Sequence, residues 1–411
     1  MTTPSNAKTI SLIMVPTVTG SVSTFASTAL IVSILRSNLK LSTVYRRLIF
    51  FLSAFDILQS LCQLFSTLTM PAGTVWGAVG NGITCDIRGF LATLGLCATV
   101  LYSLSLTVYF LLVVKFNMSE VKIKKYAEPF LHGVPIVYSL VVSISILATN
   151  NFNPSTTSCW IVEEPLNCEE DPDVECQSGG NQKLFGWLGS GIPVMGGFVG
   201  NCAMLGVIWW TYRSQARKNQ AYGNLHSATS HPQATTQSDG EEQTSRCPFW
   251  PAMKQCPFIN KRSNSQSNGV LANYLSRPSN ASLRCLEDIS NRAAAYVAGY
   301  VLTFIFAAIF RIIEAYGSGS VPFAIQLLTR FFYPLQGFFN VLIYTYPHVV
   351  SYRRNRPECS WFRAFWEVVK TGGDSDQAKP TRRGKRKRGP RNTRQSTSTQ
   401  KTSASRKSIE V

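Results

Sequence analysis

The 411-residue sequence has little of what an enzyme needs. Four histidines, His132, His226, His231 and His348, are scattered along it. None falls in a His-Glu-x-x-His spacing, and no Ser-His-Asp spacing is found, so zinc-protease and serine-hydrolase chemistry are set aside. Cys247 and Cys256 lack a second close pair, which leaves no zinc pattern. No catalytic residue, metal or cofactor is expected. Acid is scarce as well: 22 Asp and Glu stand against 40 Lys and Arg, a formal net charge of +18. A cationic run before the first apolar stretch is missing, as is a small-residue cleavage site. That stretch is therefore expected to act as an uncleaved anchor. No internal repeat is evident, which weighs against a carrier built from like halves.

What the sequence has is length without charge. Seven apolar stretches run roughly over 10–35, 48–70, 86–114, 129–148, 184–211, 293–314 and 321–346. About 20 apolar residues cross the hydrocarbon core as a helix, and each helix satisfies its own backbone there. The expected fold is an all-α integral membrane bundle of seven transmembrane helices. The last stretch holds no lysine, which excludes a retinal Schiff base.

The basic residues are sorted by loop. Arg36, Lys40, Arg46 and Arg47 follow the first stretch; Lys115, Lys122, Lys124 and Lys125 follow the third; Arg213, Arg217 and Lys218 follow the fifth. Residues 149–182 carry seven acidic residues and no basic one. Short basic loops stay in the cytosol. The N-terminus is therefore expected outside and the C-terminus in the cytosol. The positive charge then lies on the cytosolic side, where anionic lipid is the nearer partner than nucleic acid.

This topology divides the chain. Residues 1–9 form a short extracellular tail, 10–212 the first five spans and their loops, and 293–346 the last two spans. Residues 213–292, rich in Ser, Asn, Gln and Thr, read as a long disordered third cytosolic loop. The tail 347–411 holds an aromatic segment, Trp361–Val369, suited to a short interfacial helix. Its residues 382–394 carry eight basic residues and no acidic one, a segment expected to be disordered and to bind anionic membrane lipid. A bundle of this kind is first a receptor candidate for an extracellular ligand. A transporter and a sensor without a G protein are the alternatives.

Polar groups inside such a bundle are functional suspects. Asp56 and Asn340 lie at matched depths from the cytosolic ends of the second and seventh stretches. Together they read as a switch that holds a cation, waters or a proton, or as a plain polar clamp between two helices. Nearer the outside, Arg330, Arg311, Glu314, Gln63 and Arg88 could line a cavity whose arginine forks suit a small anionic ligand. Glu314, placed i,i+3 from Arg311, equally suits neutralising it. Pro193 and Pro334 sit well inside their spans and mark kinks, as hinges or as static packing. Cys85, Cys159, Cys168 and Cys176 lie on the outer side, where disulfides persist; four cysteines allow three connectivities.

The segment Pro334-Leu-Gln-Gly-Phe-Phe-Asn340-Val-Leu-Ile-Tyr344 resembles the seventh-helix signature of cyclic-AMP-receptor-like G-protein-coupled receptors. Thr84-Cys85 with Gly89-Phe90 is similar to that family's start of helix three. Ser158-Cys159-Trp160-Ile161 resembles its second outer loop, a pattern shared with secretin-type receptors. Tyr296 and Arg311-Ile-Ile-Glu314 also fit helix six. The likeness covers about residues 10–350. It implies a receptor that passes an extracellular small-molecule ligand's signal to a heterotrimeric G protein, in a multi-pass location at the plasma membrane. It also implies the Cys85–Cys159 bond, which leaves Cys168 and Cys176 as a local pair. The sequence departs from the pattern at Leu104–Lys115, which has no Asp-Arg-Tyr triplet, at Arg88, where the family often has glutamine, and in its long third cytosolic loop.

Overall fold

The computed structural model describes residues 6–165, 168, 175–229, 280–316 and 321–372. Its first helix, α1, spans Asn6–Arg36. Hydroxyls along it donate to the carbonyl one turn back, as Thr17 does to Ile13 and Thr24 to Gly20, both at 2.9 Å. Such bonds let serine and threonine sit in an apolar helix without stranded donors. Helix α2 (Val44–Leu64) starts at Thr43, whose side chain accepts from the Arg46 amide. Helix α3 (Gly82–Val114) starts with a reciprocal cap between Asn81 and Thr84.

Helix α4 covers Glu120–Ala148 with a π-turn at Ile123–Ala127. Helix α5 runs through Gln182–Gly186, a π-turn at Trp187–Gly191, and Ile192–Thr229. Helix α6 spans Asn280–Tyr316. Helices α7 (Phe323–Phe332) and α8 (Gln336–Asn355) are joined by a 3₁₀ turn, Tyr333–Leu335. A short helix, α9 (Trp361–Thr371), follows. Six helices, α1 to α6, are long and apolar enough to cross a membrane, and the chain is accordingly an all-α multi-pass membrane protein. The seventh expected stretch is broken, because Pro334 has no amide hydrogen for the carbonyl of Arg330.

Helix α3 is the central post, touching α2, α4, α5 and α6, while α1 packs on α2, α7, α8 and α9. One end of the bundle carries the basic loops; the other carries a hairpin. In that hairpin β1 (Phe152–Pro154) pairs antiparallel with β2 (Cys159–Ile161), with Phe152 opposite Ile161 and Asn153 opposite Trp160. Both strands touch α3. Disulfides join Cys85 to Cys159 and Cys168 to Cys176. The main core lies toward the basic end, where Leu30, Ile34, Leu48, Tyr102, Leu106 and Phe110 are buried together. A second cluster, Leu96, Val100, Tyr300 and Phe304, lies beside Trp160.

Several boundaries differ from the sequence expectation. The first helix begins at Asn6, inside the expected nine-residue tail. Residues 213–229 continue α5 and residues 280–292 open α6, so both ends of the expected disordered loop are helical. Alanine, arginine, lysine and glutamine favour helix in water, and hydropathy registers only the stretch that suits lipid. Residues 230–279 and the basic segment 382–394 lie outside the described residues. The aromatic segment is helical as expected and ends at Gly372, in the left-handed region at φ 69°. A Cβ there would stand 2.4 Å from the Ser37 amide nitrogen, so only glycine lets α9 close on the end of α1.

The hairpin rests on α3 through one glycine. A Cβ at Gly89 would stand 2.5 Å from the Phe152 ring, which is buried. Gly89→Val is expected to cost about 1–3 kcal/mol through overpacking. A lowered thermal midpoint in detergent, with both disulfides intact, checks this; an unchanged midpoint would mean the hairpin does not depend on that contact.

Candidate functional site

Two polar groups of residues occupy the inside of the bundle. Deeper from the hairpin, Asn340 on α8 donates from Nδ2 to Asp56 Oδ2 on α2 at 2.7 Å. Both residues are only 1% exposed. Gln336, one turn before Asn340, donates to Asn340 Oδ1 at 3.3 Å. The Thr99 hydroxyl of α3 lies beside Asp56. Gly337 is what lets α8 come close enough, since a Cβ there would stand 2.0 Å from Ser27 Oγ on α1. The Gly337 amide also donates to Ser23 Oγ at 3.1 Å.

Asp56 Oδ1, Thr99 Oγ1, Gln336 Oε1 and Ser27 Oγ are buried here and have no hydrogen-bond partner among the described residues. A half-satisfied carboxylate in an apolar slab is costly. Its second oxygen can be served by a proton, a water or a cation. The matched depth read from the sequence thus corresponds to a direct hydrogen bond between α2 and α8.

Nearer the hairpin, Arg88 on α3 is buried. Its Nε donates to the Cys62 carbonyl at 3.3 Å and its Nη1 to the Cys159 carbonyl at 2.5 Å. Arg88 therefore ties the disulfide-bonded strand β2 to α2. Arg330 on α7 is half-buried and close enough to Arg88 for the two charges to act on each other. Tyr333, in the 3₁₀ turn, also lies in the field of Arg88 and accepts a short hydrogen bond from Gln59 Nε2 of α2. Among the described residues no carboxylate forms an ion pair with Arg88 or Arg330.

The other three expected ligand residues stand elsewhere. Arg311 and Glu314 pair with each other at 2.5 Å, with half of the Glu314 side chain exposed. Gln63 faces α1, where Gly20 brings the α1 backbone against it. No hydrogen bond or ion pair among the described residues joins these three to Arg88 or Arg330. Gln59 and Tyr333 were not anticipated. Gln59 lies i,i+3 from Asp56 on the same face of α2, and that spacing was an available signal.

Toward the basic end, aromatic side chains link three helices. The Tyr45 and Tyr296 hydroxyls of α2 and α6 are 3.2 Å apart, and Phe110 of α3 stacks on Tyr296. Glu120 accepts from the Val44 amide at 2.6 Å and from the Tyr109 hydroxyl at 3.0 Å, which staples the start of α4 to α2. Arg47 and Glu128 form an ion pair between α2 and α4, with one bond at 2.8 Å. No protein-family model matches the chain, and a search of curated proteins finds no match.

Asp56 and Asn340 are expected to act as a unit. Asp56→Asn and Asn340→Ala, alone and together, should show a coupling of about 0.5–3 kcal/mol in unfolding free energy. Strict additivity would mean the 2.7 Å bond contributes nothing specific.

Proposed function

We propose that this chain is a seven-span G-protein-coupled receptor that carries the signal of a small anionic extracellular ligand to a heterotrimeric G protein. In this reading α7, the 3₁₀ turn and α8 together make the seventh span. The hairpin end faces outward, since the basic loops belong in the cytosol, and the plasma membrane is the location. The observation that carries the reading is the approach of Arg88 to Arg330 with no carboxylate paired to either among the described residues. Two arginines so placed favour an anion between them, and a guanidinium binds carboxylate or phosphate through paired donors.

The broken span supplies the transmission. Arg330 and Asn340 stand on opposite sides of the 3₁₀ turn, ten residues apart and so about 15 Å along a helix. A ligand that draws on Arg330 loads the turn through Tyr333 and alters the fit of Asn340 to Asp56. At the cytosolic side the Tyr45–Tyr296 contact holds α6 to α2, and its release would free α6 for a G protein. The ligand can shift this balance only by its difference in affinity for the two arrangements. The resemblance to cyclic-AMP-receptor-like receptors supports the same reading.

Purified protein in nanodiscs, with G protein, should accelerate nucleotide exchange for one member of a panel of small carboxylates, phosphates and cyclic nucleotides. Arg330→Gln should raise the half-maximal concentration about tenfold or more, the loss of a charge-assisted hydrogen bond. Flux of an anion across sealed vesicles without any exchange would favour a transporter instead. Orientation has its own test. A protease tag at residue 2 should be cut from outside intact cells and one at residue 240 should not; cleavage at residue 240 would overturn the topology.

A further inference from the structure

The loop between α2 and α3 is built as a hydrogen-bonded platform without a basic residue. From Ile57 to Ile87 there is no Lys or Arg, and the one carboxylate is Asp86, half-buried at the start of α3. The loop closes on itself through the Gly80 amide, which donates to the Met70 carbonyl at 2.8 Å. Thr84 Oγ1 donates to the Thr69 carbonyl at 2.8 Å, which pins the loop to the first turn of α3. Gly73 and Gly77 take positive φ, 90° and 84°, as its tight turns require. Inside, Val75 and Ala78 pack on Met70 and the Cys85–Cys159 disulfide.

Outside, the loop presents apolar side chains that none of the described residues covers. Trp76 is 68% exposed, Val79 72%, and Ile83 and Ile87, one turn apart on α3, 71% and 54%. Scattered exposed apolar residues are ordinary, but a cluster on a rigid support marks an interaction surface. Depth identifies the partner. Leu48 is the first apolar residue after the Arg46-Arg47 pair, and a span of about 20 residues from there ends near Leu68. Trp76 then falls at headgroup level, where tryptophan is enriched because its ring is apolar and its N–H is not. Helix α3, at 33 residues about 50 Å long if upright, has the length to tilt and bring Ile83 and Ile87 to the same level.

We infer that this loop is a membrane anchor: Trp76 and Val79, continued by Ile83 and Ile87, insert into the bilayer leaflet at the hairpin end. With no Lys or Arg to meet an anionic headgroup, and Asp86 opposing one, the partner is neutral lipid. The insertion fixes the Cys85–Cys159 disulfide, and hence the hairpin, at a set height above the bundle. The inference stands on the chain crossing a membrane and is independent of the receptor reading.

Tryptophan emission tests it, with full-length protein in phosphatidylcholine nanodiscs. Eight tryptophans emit, so the signal is the difference between wild type and Trp76→Phe. Lipids brominated near the glycerol end of the acyl chain should remove roughly half or more of that difference, as for a residue at the interface; aqueous acrylamide should leave most of it. Quenching by acrylamide with none by bromolipid would put the loop in water and overturn the proposal, leaving a protein partner as the reading. Val79→Cys carrying a polarity-sensitive dye gives a second readout, taken against the same labelling of protein without the substitution. Blue-shifted emission, equal in neutral and anionic lipid, is expected. Emission like that of the free dye, or a shift that requires anionic lipid, would overturn it.

Discussion

Everything inside this bundle follows from one constraint: a polar group in an apolar slab has to find its partner within the protein. The lipid tails around it offer neither donor nor acceptor. The backbone answers by staying helical, and the hydroxyls of α1 answer by bonding to the turn before them. Asp56 has no such local remedy, since a carboxylate has no hydrogen to donate to a carbonyl. It draws Asn340 across from α8 instead, and Gly337 is the residue that lets α8 approach. A single costly side chain thus dictates the identity of two others on a distant helix.

The same constraint explains the irregular helices. Pro193 has no amide hydrogen, so the Gly189 carbonyl four residues earlier loses its helical donor. The thiol of Cys97 on α3 serves that carbonyl at 3.2 Å. The Tyr138 hydroxyl of α4 serves the neighbouring Leu188 carbonyl at 2.9 Å, and the Tyr300 hydroxyl of α6 serves that of Val194 at 3.1 Å. Three helices therefore grip α5 at its π-turn. Nothing in the sequence around Cys97 marks this role; its bond becomes visible only once α5 is set against α3.

Features with a strong chemical signature were the legible ones. A carboxylate in an apolar run, basic loops alternating with loops that have no basic residue, and a cysteine at the start of a helix each stand out against their surroundings. The Asp56–Asn340 contact follows from matched depth, while the pairing of the outer cysteines came from the family resemblance. Rotation about a helix axis was much less legible. Depth arithmetic put Gln63 level with Arg330, yet it says nothing of where α1 closes in, and Gly20 brings the α1 backbone to Gln63. Gln59 meets Tyr333 instead. The break at Tyr333–Leu335 was signalled by Pro334, but a proline does not say whether a helix bends or stops. Helix ends in water were missed because hydropathy marks where lipid ends, not where a helix does.

The two polar groups are most informative as a pair. Near the hairpin Arg88 donates to two backbone carbonyls and stands in the field of Arg330, whereas in the Asp56 group carboxylate, amide and hydroxyl oxygens have no partner among the described residues. The first group holds cationic side chains and the second a carboxylate. Tyr333 belongs to the first group, and Gln336 and Asn340 to the second, and one 3₁₀ turn joins them. A short turn of this kind has weaker internal hydrogen bonds than the α-helices beside it, so it is the softest link in a stiff element. An anion completing the first group would act on Tyr333, and the turn would pass that displacement to Asn340 before the flanking helices deformed. Two polar groups of opposite charge on either side of a soft turn are thus an arrangement in which a ligand at one changes how well the other is satisfied.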